Sequence, residues 1–468
     1  MNFPMKDFLL SKILVGAAAG LGVFAIVVWL GADPTAEWSA RRPGADMEGA
    51  SAPAETAAPI EGVLTQSSGV ASTLPGAWPR FRNANLDNIS TDSVPLAAAW
   101  NGAPPLVWSL EMGEGHAGAA IVDGRVYVLD YDRPNSADAL RCLSFDDGAE
   151  IWRYAYPVKV KRNHGMSRTV PAVTEEFLVA IGPKCHVTCL EPETGKLFWQ
   201  IDLVGRFGTD VPPWYAGQCP LIDEGRAILA PGGRALLVAI DCRTGDILWE
   251  TPNPDRWSMT HSSIVPMEFA GKRFFVYCAS GGVVGVDAQS GAVLWKTKEW
   301  KIRIANVPTP VLVGGGRIFF SGGYEAGSLM MALRDEGGTL KAETLFRLGP
   351  DLFGSAQQTP VFYEGHLYGV RPDEQLVCLD LEGRVVWASG AAHKFGLGPY
   401  MIADGLIFVM NDSGLLSVVD ATPAGYKLLD QADLLDGHDS WAPMALASGR
   451  MILRDLTRMV CVDLSVRE

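Results

Sequence analysis

Eight times between Leu106 and Leu464 the chain repeats one phrase: a glycine-bearing turn, a β-branched strand, a second turn, then an aromatic residue on an outer strand. The clearest copies are CLSFDDGAEIW (142–152), CLEPETGKLFW (189–199), AIDCRTGDILW (239–249), GVDAQSGAVLW (285–295) and CLDLEGRVVW (378–387). Trp108, Trp152, Trp199, Trp249, Trp295 and Trp387 mark the copies, and Phe346 and Leu428 hold the same slot in two degenerate ones. The intervals between markers are 44, 47, 50, 46, 51, 41 and 41 residues. A period in this range with four short strands per unit specifies a β-propeller.

The two ends of the array specify its closure. The last copy runs APMALA, RMILRD and MVCVDL and stops one strand short, whereas PLVWSL (105–110) is a lone fourth strand lacking its preceding three. Joining them gives one whole blade and removes open sheet edges. The expected fold is therefore all-β, an eight-bladed propeller of four-stranded antiparallel blades, its ring closed by the N-terminal strand. In such a ring the marker tryptophans dock one blade on the next, and their role is structural.

Glycine (51 residues) and proline (30) suit a chain of tight turns. A net charge of −14 argues against a nucleic-acid surface. Of eight cysteines, Cys142, Cys189, Cys378 and Cys461 occupy one place in their repeats, which reads as small core residues. Cys185 and Cys189 lie about 13 Å apart on an extended strand, too far to bridge unless the chain turns between them.

Residues 8–32 are apolar apart from Ser11 and Lys12, with an uncharged run from Ile13 to Ala32, enough for a helix to cross a bilayer. Lys6 and Lys12 place the N-terminus in the cytoplasm. The exit WLGADP suits a retained anchor better than a cleaved signal peptide, the alternative reading. Residues 33–77, rich in Ala, Pro, Ser, Thr and Glu, read as a disordered tether. The expected layout is a cytoplasmic stub (1–7), a transmembrane signal anchor (8–32), a linker (33–77) and the propeller (78–468). The chain would then be a single-pass protein of a bacterial inner membrane, with the propeller in the periplasm.

The stretches that open each repeat border the central channel, and they gather polar residues. His116, His164, Arg168, Gln218, His261, Gln357, Gln358, His438 and Trp441 fall there, as does Asn306. Two readings stand: a polar pocket at one channel mouth, or groups that satisfy buried backbone and hold water. No His-x-His or His-x3-His spacing supports a metal site. Against the acidic total, Lys159, Lys161 and Arg162 form a basic patch, either a solvated loop or a site for an anionic ligand or partner. No nucleophile motif or dinucleotide fingerprint appears, so no catalytic residue is assigned.

The runs CLEPETGKLFW and AIDCRTGDILW, with the lead-in WPRFRNANLDNIS (78–90), resemble the pyrroloquinoline-quinone-type β-propeller repeat family and its exported bacterial members, over about residues 78–464. That resemblance implies either a quinone-dependent dehydrogenase or a non-enzymatic scaffold similar to the outer-membrane assembly lipoprotein. The dehydrogenases are longer and use a vicinal Cys-Cys disulfide, a tryptophan floor, a calcium held by Glu and Asn, and an Asp base. This chain has no adjacent cysteines. The lipoprotein's lipid-attachment cysteine is missing too, since no cysteine precedes Cys142. The expectation is a membrane-anchored, non-catalytic propeller without a cofactor that binds a protein or extended peptide. The alternative is a quinone-dependent oxidoreductase, using pyrroloquinoline quinone with calcium, or a small-ligand binder.

Overall fold

The computed structural model of this chain describes residues 20–24 and 61–466. Contacts divide the chain into residues 1–50 and 51–468. In the first unit only residues 20–24 are described, and they are helical and exposed. Among the described residues no helix is long and apolar enough to cross a membrane. The expected stub at 1–7, and the expected anchor at 8–32 apart from residues 20–24, lie outside the described residues.

The second unit is an eight-bladed β-propeller. Blades 1 to 7 span residues 120–157, 172–202, 221–252, 265–297, 311–348, 361–388 and 400–433. Blade 8 combines 445–463 with the strand Leu106–Glu111, which pairs with Arg458–Asp463 and sets Trp108 opposite Cys461. The innermost strand of blade 1 packs against those of blades 2 and 8, so the ring is closed as the two array ends require.

The strand sequences follow from burial. Third strands are packed on both faces by neighbouring blades: residues 235–240 form a continuous buried apolar run, and Ala137–Ser144 is buried at every position, Asp138 and Arg141 included. Fourth strands face solvent on one side, so Glu150–Pro157 alternates instead. Where each fourth strand meets the third, the register slips by a bulge beside the marker. The bulge sets Trp152, Trp199, Trp387 and Trp108 directly opposite Cys142, Cys189, Cys378 and Cys461. The equivalent partners are Ala239 for Trp249 and Gly285 for Trp295. A small residue is needed there because the indole lies across it: a Cβ on Gly285 would stand 2.0 Å from Trp295 Nε1. All eight cysteines are buried and unpaired.

Residues 61–77 correct one expectation. Composition assigned them to a tether, yet Val63–Gln66 is a strand that pairs with Glu150–Pro157 as a fifth, outermost member of blade 1. The strand is exposed throughout and buries no apolar face of its own; backbone pairing to a free sheet edge orders it, and composition does not report that. Ser72 then hydrogen-bonds Gly124 and Asp146.

The segment that follows is a strap inside the ring. Trp78 exchanges backbone hydrogen bonds with Ile121 of blade 1, Pro79 accepts from Val173 of blade 2, and Arg80 reaches Ile222 O of blade 3 at 3.2 Å. Two residues on, Arg82 reaches Thr359 O and Pro360 O beside blade 6, at 2.9 and 3.1 Å. Asn88 and Ser90 bond blade 7, and Ala97 bonds Leu464 of blade 8. The chain therefore crosses the channel between blades 3 and 6, which are three blades apart in a ring of eight. The Arg82 guanidinium is buried and also donates to Leu86 O and Asp87 O, so four carbonyls stabilise one desolvated cation.

Candidate functional site

The strap gives the channel a floor. Above it lies a cavity of about 440 Å³ lined by Phe81 of the strap and by residues that open blades 1 to 8. Seven of the nine sequence candidates line it: His116, His164, Arg168, His261, Gln357, Gln358 and Trp441. These residues come from stretches far apart in sequence, and they converge because each stretch precedes an innermost strand.

Arg168 supplies the charge of this cup. Its Nε donates to Trp214 O, and its Nη2 donates to Asn163 O (2.9 Å) and His164 O (2.7 Å). Those bonds fix the guanidinium plane. Among the described residues Nη1 has no hydrogen-bond partner, and no carboxylate lies within ion-pair distance of Arg168. Burial lowers its pKa to about 10, so it remains protonated near neutral pH.

The two buried imidazoles are neutral. Burial and then the Arg168 charge hold His116 at about 3 and His261 at about 4. His116 Nε2 donates to His164 O (3.1 Å) and His261 Nε2 to Pro213 O (2.8 Å), which fixes each tautomer. His116 lies against the Trp441 ring at 5.1 Å, and His261 against Trp214 at 6.4 Å. Trp441 Nε1 donates to Asp412 at 2.7 Å, and the Trp441 carbonyl accepts from Gln358 at 3.1 Å. The walls are thus aromatic and amide surfaces held by hydrogen bonds to their backs. Among the described residues that line the cup there is no Asp or Glu.

Two candidates lie elsewhere. Gln218 is fully buried, takes the Ala230 amide at 2.9 Å and donates to Ala230 O and Tyr277 Oη, both at 3.3 Å, so it ties blade 3 to blade 4. The His438 ring is exposed beside Asp439 and does not line the cup. Of the basic patch, Lys159 and Lys161 are exposed, and Arg162 is held by Glu114. Trp214 and Tyr324 line the cup without having been singled out. Trp214 begins the opening WYAGQCP and sits outside the marker slot, a signal that was available. Tyr324 lies in the turn GGYEA of blade 5, an unusual place for an aromatic residue.

The marker tryptophans lie away from the cup. Trp152, Trp199 and Trp387 donate to Pro192 O (3.1 Å), Cys242 O (2.8 Å) and Thr422 O (2.8 Å) of the following blade, and Trp108 donates to Phe145 O (3.1 Å). Trp249 packs under Gly291 of blade 4, and Trp295 lies against Phe274 of its own blade.

A closed propeller with a strap-floored cup defines the class to which the fold and site belong. Residues 136–389 match the family described as outer membrane protein assembly factor BamB, and the chain belongs to this family of quinone-type repeat propellers. Among solved structures, BamB from Moraxella catarrhalis is similar at 13% identity with a TM-score of 0.54, over 77% of this chain and 100% of that one. A europium-containing methanol dehydrogenase is similar at 14% identity with a TM-score of 0.57, over 81% and 89%. At such identities the likeness is one of fold. No curated protein matched the sequence.

The dehydrogenase apparatus does not fit this cup. Calcium ligands and a carboxylate base require Asp or Glu in the lining, and a disulfide over a quinone ring requires adjacent cysteines. Among the described residues no cluster of three His, Cys, Asp or Glu could hold a metal ion.

Proposed function

We propose that the chain is a membrane-anchored periplasmic propeller that acts as a non-catalytic scaffold in envelope biogenesis, holding an extended segment of a partner protein in its cup. The observation that carries this reading is the chemistry of the lining. One cation without a carboxylate, two neutral imidazoles hydrogen-bonded to backbone, two tryptophans and two glutamines make a binding surface, and burial keeps the one thiol in the lining, Cys219, protonated with its pKa raised to about 11. Aromatic rings with polar tips, and amides that both donate and accept, suit the alternating demands of a polypeptide. Family membership supports a protein partner over a small-molecule substrate.

In-cell photocrosslinking tests this. A benzophenone amino acid at Gln357, in the cup, should give discrete protein adducts. The same group at Leu248, exposed on the outer strand of blade 3, should not. Adducts from Leu248 but not from Gln357 would place the partner on the rim and overturn the reading.

A further inference from the structure

Resting on that reading, we infer that the cup recognises the C-terminal carboxylate of the partner segment and that Arg168 is the residue that reads it. Arg168 is a fixed donor. Three hydrogen bonds to backbone carbonyls hold Nε and Nη2, and Nη1 is left unbonded on a residue that lines the cavity. A guanidinium already oriented and partly desolvated binds a carboxylate more strongly than a mobile surface arginine does. The lining offers that cation no carboxylate of its own, in a chain with 53 acidic residues against 39 basic ones. His116 and His261 are neutral, so Arg168 is the permanent cation among the side chains that line the cup.

The floor decides which carboxylate. Residues 80–82 span the channel between blades 3 and 6, and Phe81 lines the cup. The strap bars a chain from threading through the ring, so a segment that enters the cup must end there or leave on the side it entered; an end needs room for one strand, a departure needs room for two.

A second cavity of about 350 Å³ runs on from the cup between blades 5, 6 and 7 and shares Tyr324, Gln357, Gln358 and Leu397 with it. Its lining includes three carboxylates, Glu325, Glu374 and Asp412, against one cation, Arg371, with Glu374 also paired to Lys394. A terminal carboxylate would be repelled there and attracted at Arg168, which gives the bound segment a direction: along the acidic groove, with the last residue in the cup. Basic side chains just upstream of the terminus would be favoured in the groove.

The experiment uses the full chain in detergent and bead-bound random hexapeptides tethered through their N-termini, in two forms, free acid and C-terminal amide. Capture on the acid beads should exceed capture on the amide beads by about tenfold or more, the usual weight of a charge-assisted hydrogen-bonded pair. Arg168→Gln should abolish the difference and Arg168→Lys should restore part of it. Because the acid and amide arms are compared on the unaltered chain, the test stands even if a variant folds poorly. Equal capture on both forms would overturn the C-terminal assignment while leaving a peptide-binding scaffold intact. Capture on amide beads confined to sequences rich in Asp and Glu would also overturn it, by assigning Arg168 to side-chain carboxylates. No capture on either form would count against the scaffold reading itself.

Discussion

Trp152, the marker of blade 1, lies under Gly195, the turn glycine of blade 2: a Cβ on Gly195 would stand 2.7 Å from the indole Cδ2. The two defining residues of the repeat therefore meet across the junction between consecutive repeats. The same relationship joins Trp108 to Gly148, Trp199 to Gly245, Trp249 to Gly291 and Phe346 to Gly383. Each glycine has positive φ and closes its turn, and its bare Cα is what allows the next ring to approach.

Two glycines separate these causes. Gly195 (φ 74°) and Gly225 (φ 75°) have nearly the same φ, but Gly225 has open space around it. Gly225→Ala should cost about 1 kcal/mol, the left-handed strain alone. Gly195→Ala should cost a further ~1–3 kcal/mol for displacing the ring. Denaturant unfolding of both variants gives the comparison, and equal losses would show that blade docking does not depend on that contact.

Closure predicts a second effect. Trp108 is buried opposite Cys461 in the blade whose strands come from both ends of the array. Trp108→Ala should destabilise by about 3–5 kcal/mol, and the strand Leu106–Glu111 should lose amide-exchange protection first. Protection lost evenly over all blades would argue against a local seam.

Arg82 is the pin of the strap. Arg82→Met leaves the Thr359 and Pro360 carbonyls without their donor and should cost about 1–3 kcal/mol, the scale for leaving buried acceptors unsatisfied. Thermal unfolding measures it; an unchanged melting temperature would mean that the strap is held by its backbone bonds alone.

Asp138 makes stability depend on pH. It is fully buried, accepts from Tyr156 Oη at 2.7 Å and Ser167 Oγ at 3.4 Å, and burial raises its pKa to about 7. The folded state thus keeps a proton that the unfolded chain releases near pH 4, so this contribution is present at low pH and is lost as pH rises from about 4 through about 7. His116 and His261 act with the opposite sign, since their depressed values give stability above the unfolded histidine pKa that is lost as pH falls below it. The difference between wild type and Asp138→Asn isolates the carboxyl. The Asn variant should gain about 2–3 kcal/mol on wild type between pH 5 and pH 8, and a constant difference would contradict the assignment.

The fold was legible because its signals are local and repeated. The DG, EG and TG turns, the marker ring and the small residue before it lie within eleven positions, and the strand missing after Val462 reappears at Trp108. The cup was legible as a set of segments but not as a set of side chains. Near an irregular opening no period says which way a residue points, so Gln218 and His438 read the same as Gln358 and Trp441 although only the latter pair line the cavity. The strand at 63–66 and the channel crossing at 80–82 left no signal, because both depend on edges and carbonyls contributed by distant blades.

Filling the cup is the most direct test of the central claim that partners bind there. Ala305 is buried in its wall, and Ala305→Trp would occupy the cavity without touching a charged group. Photocrosslinking from Gln357 in that background, with thermal unfolding to verify the fold, should lose its protein adducts in a chain that still melts cooperatively. Undiminished adducts in the filled variant would place the binding surface elsewhere and contradict the account.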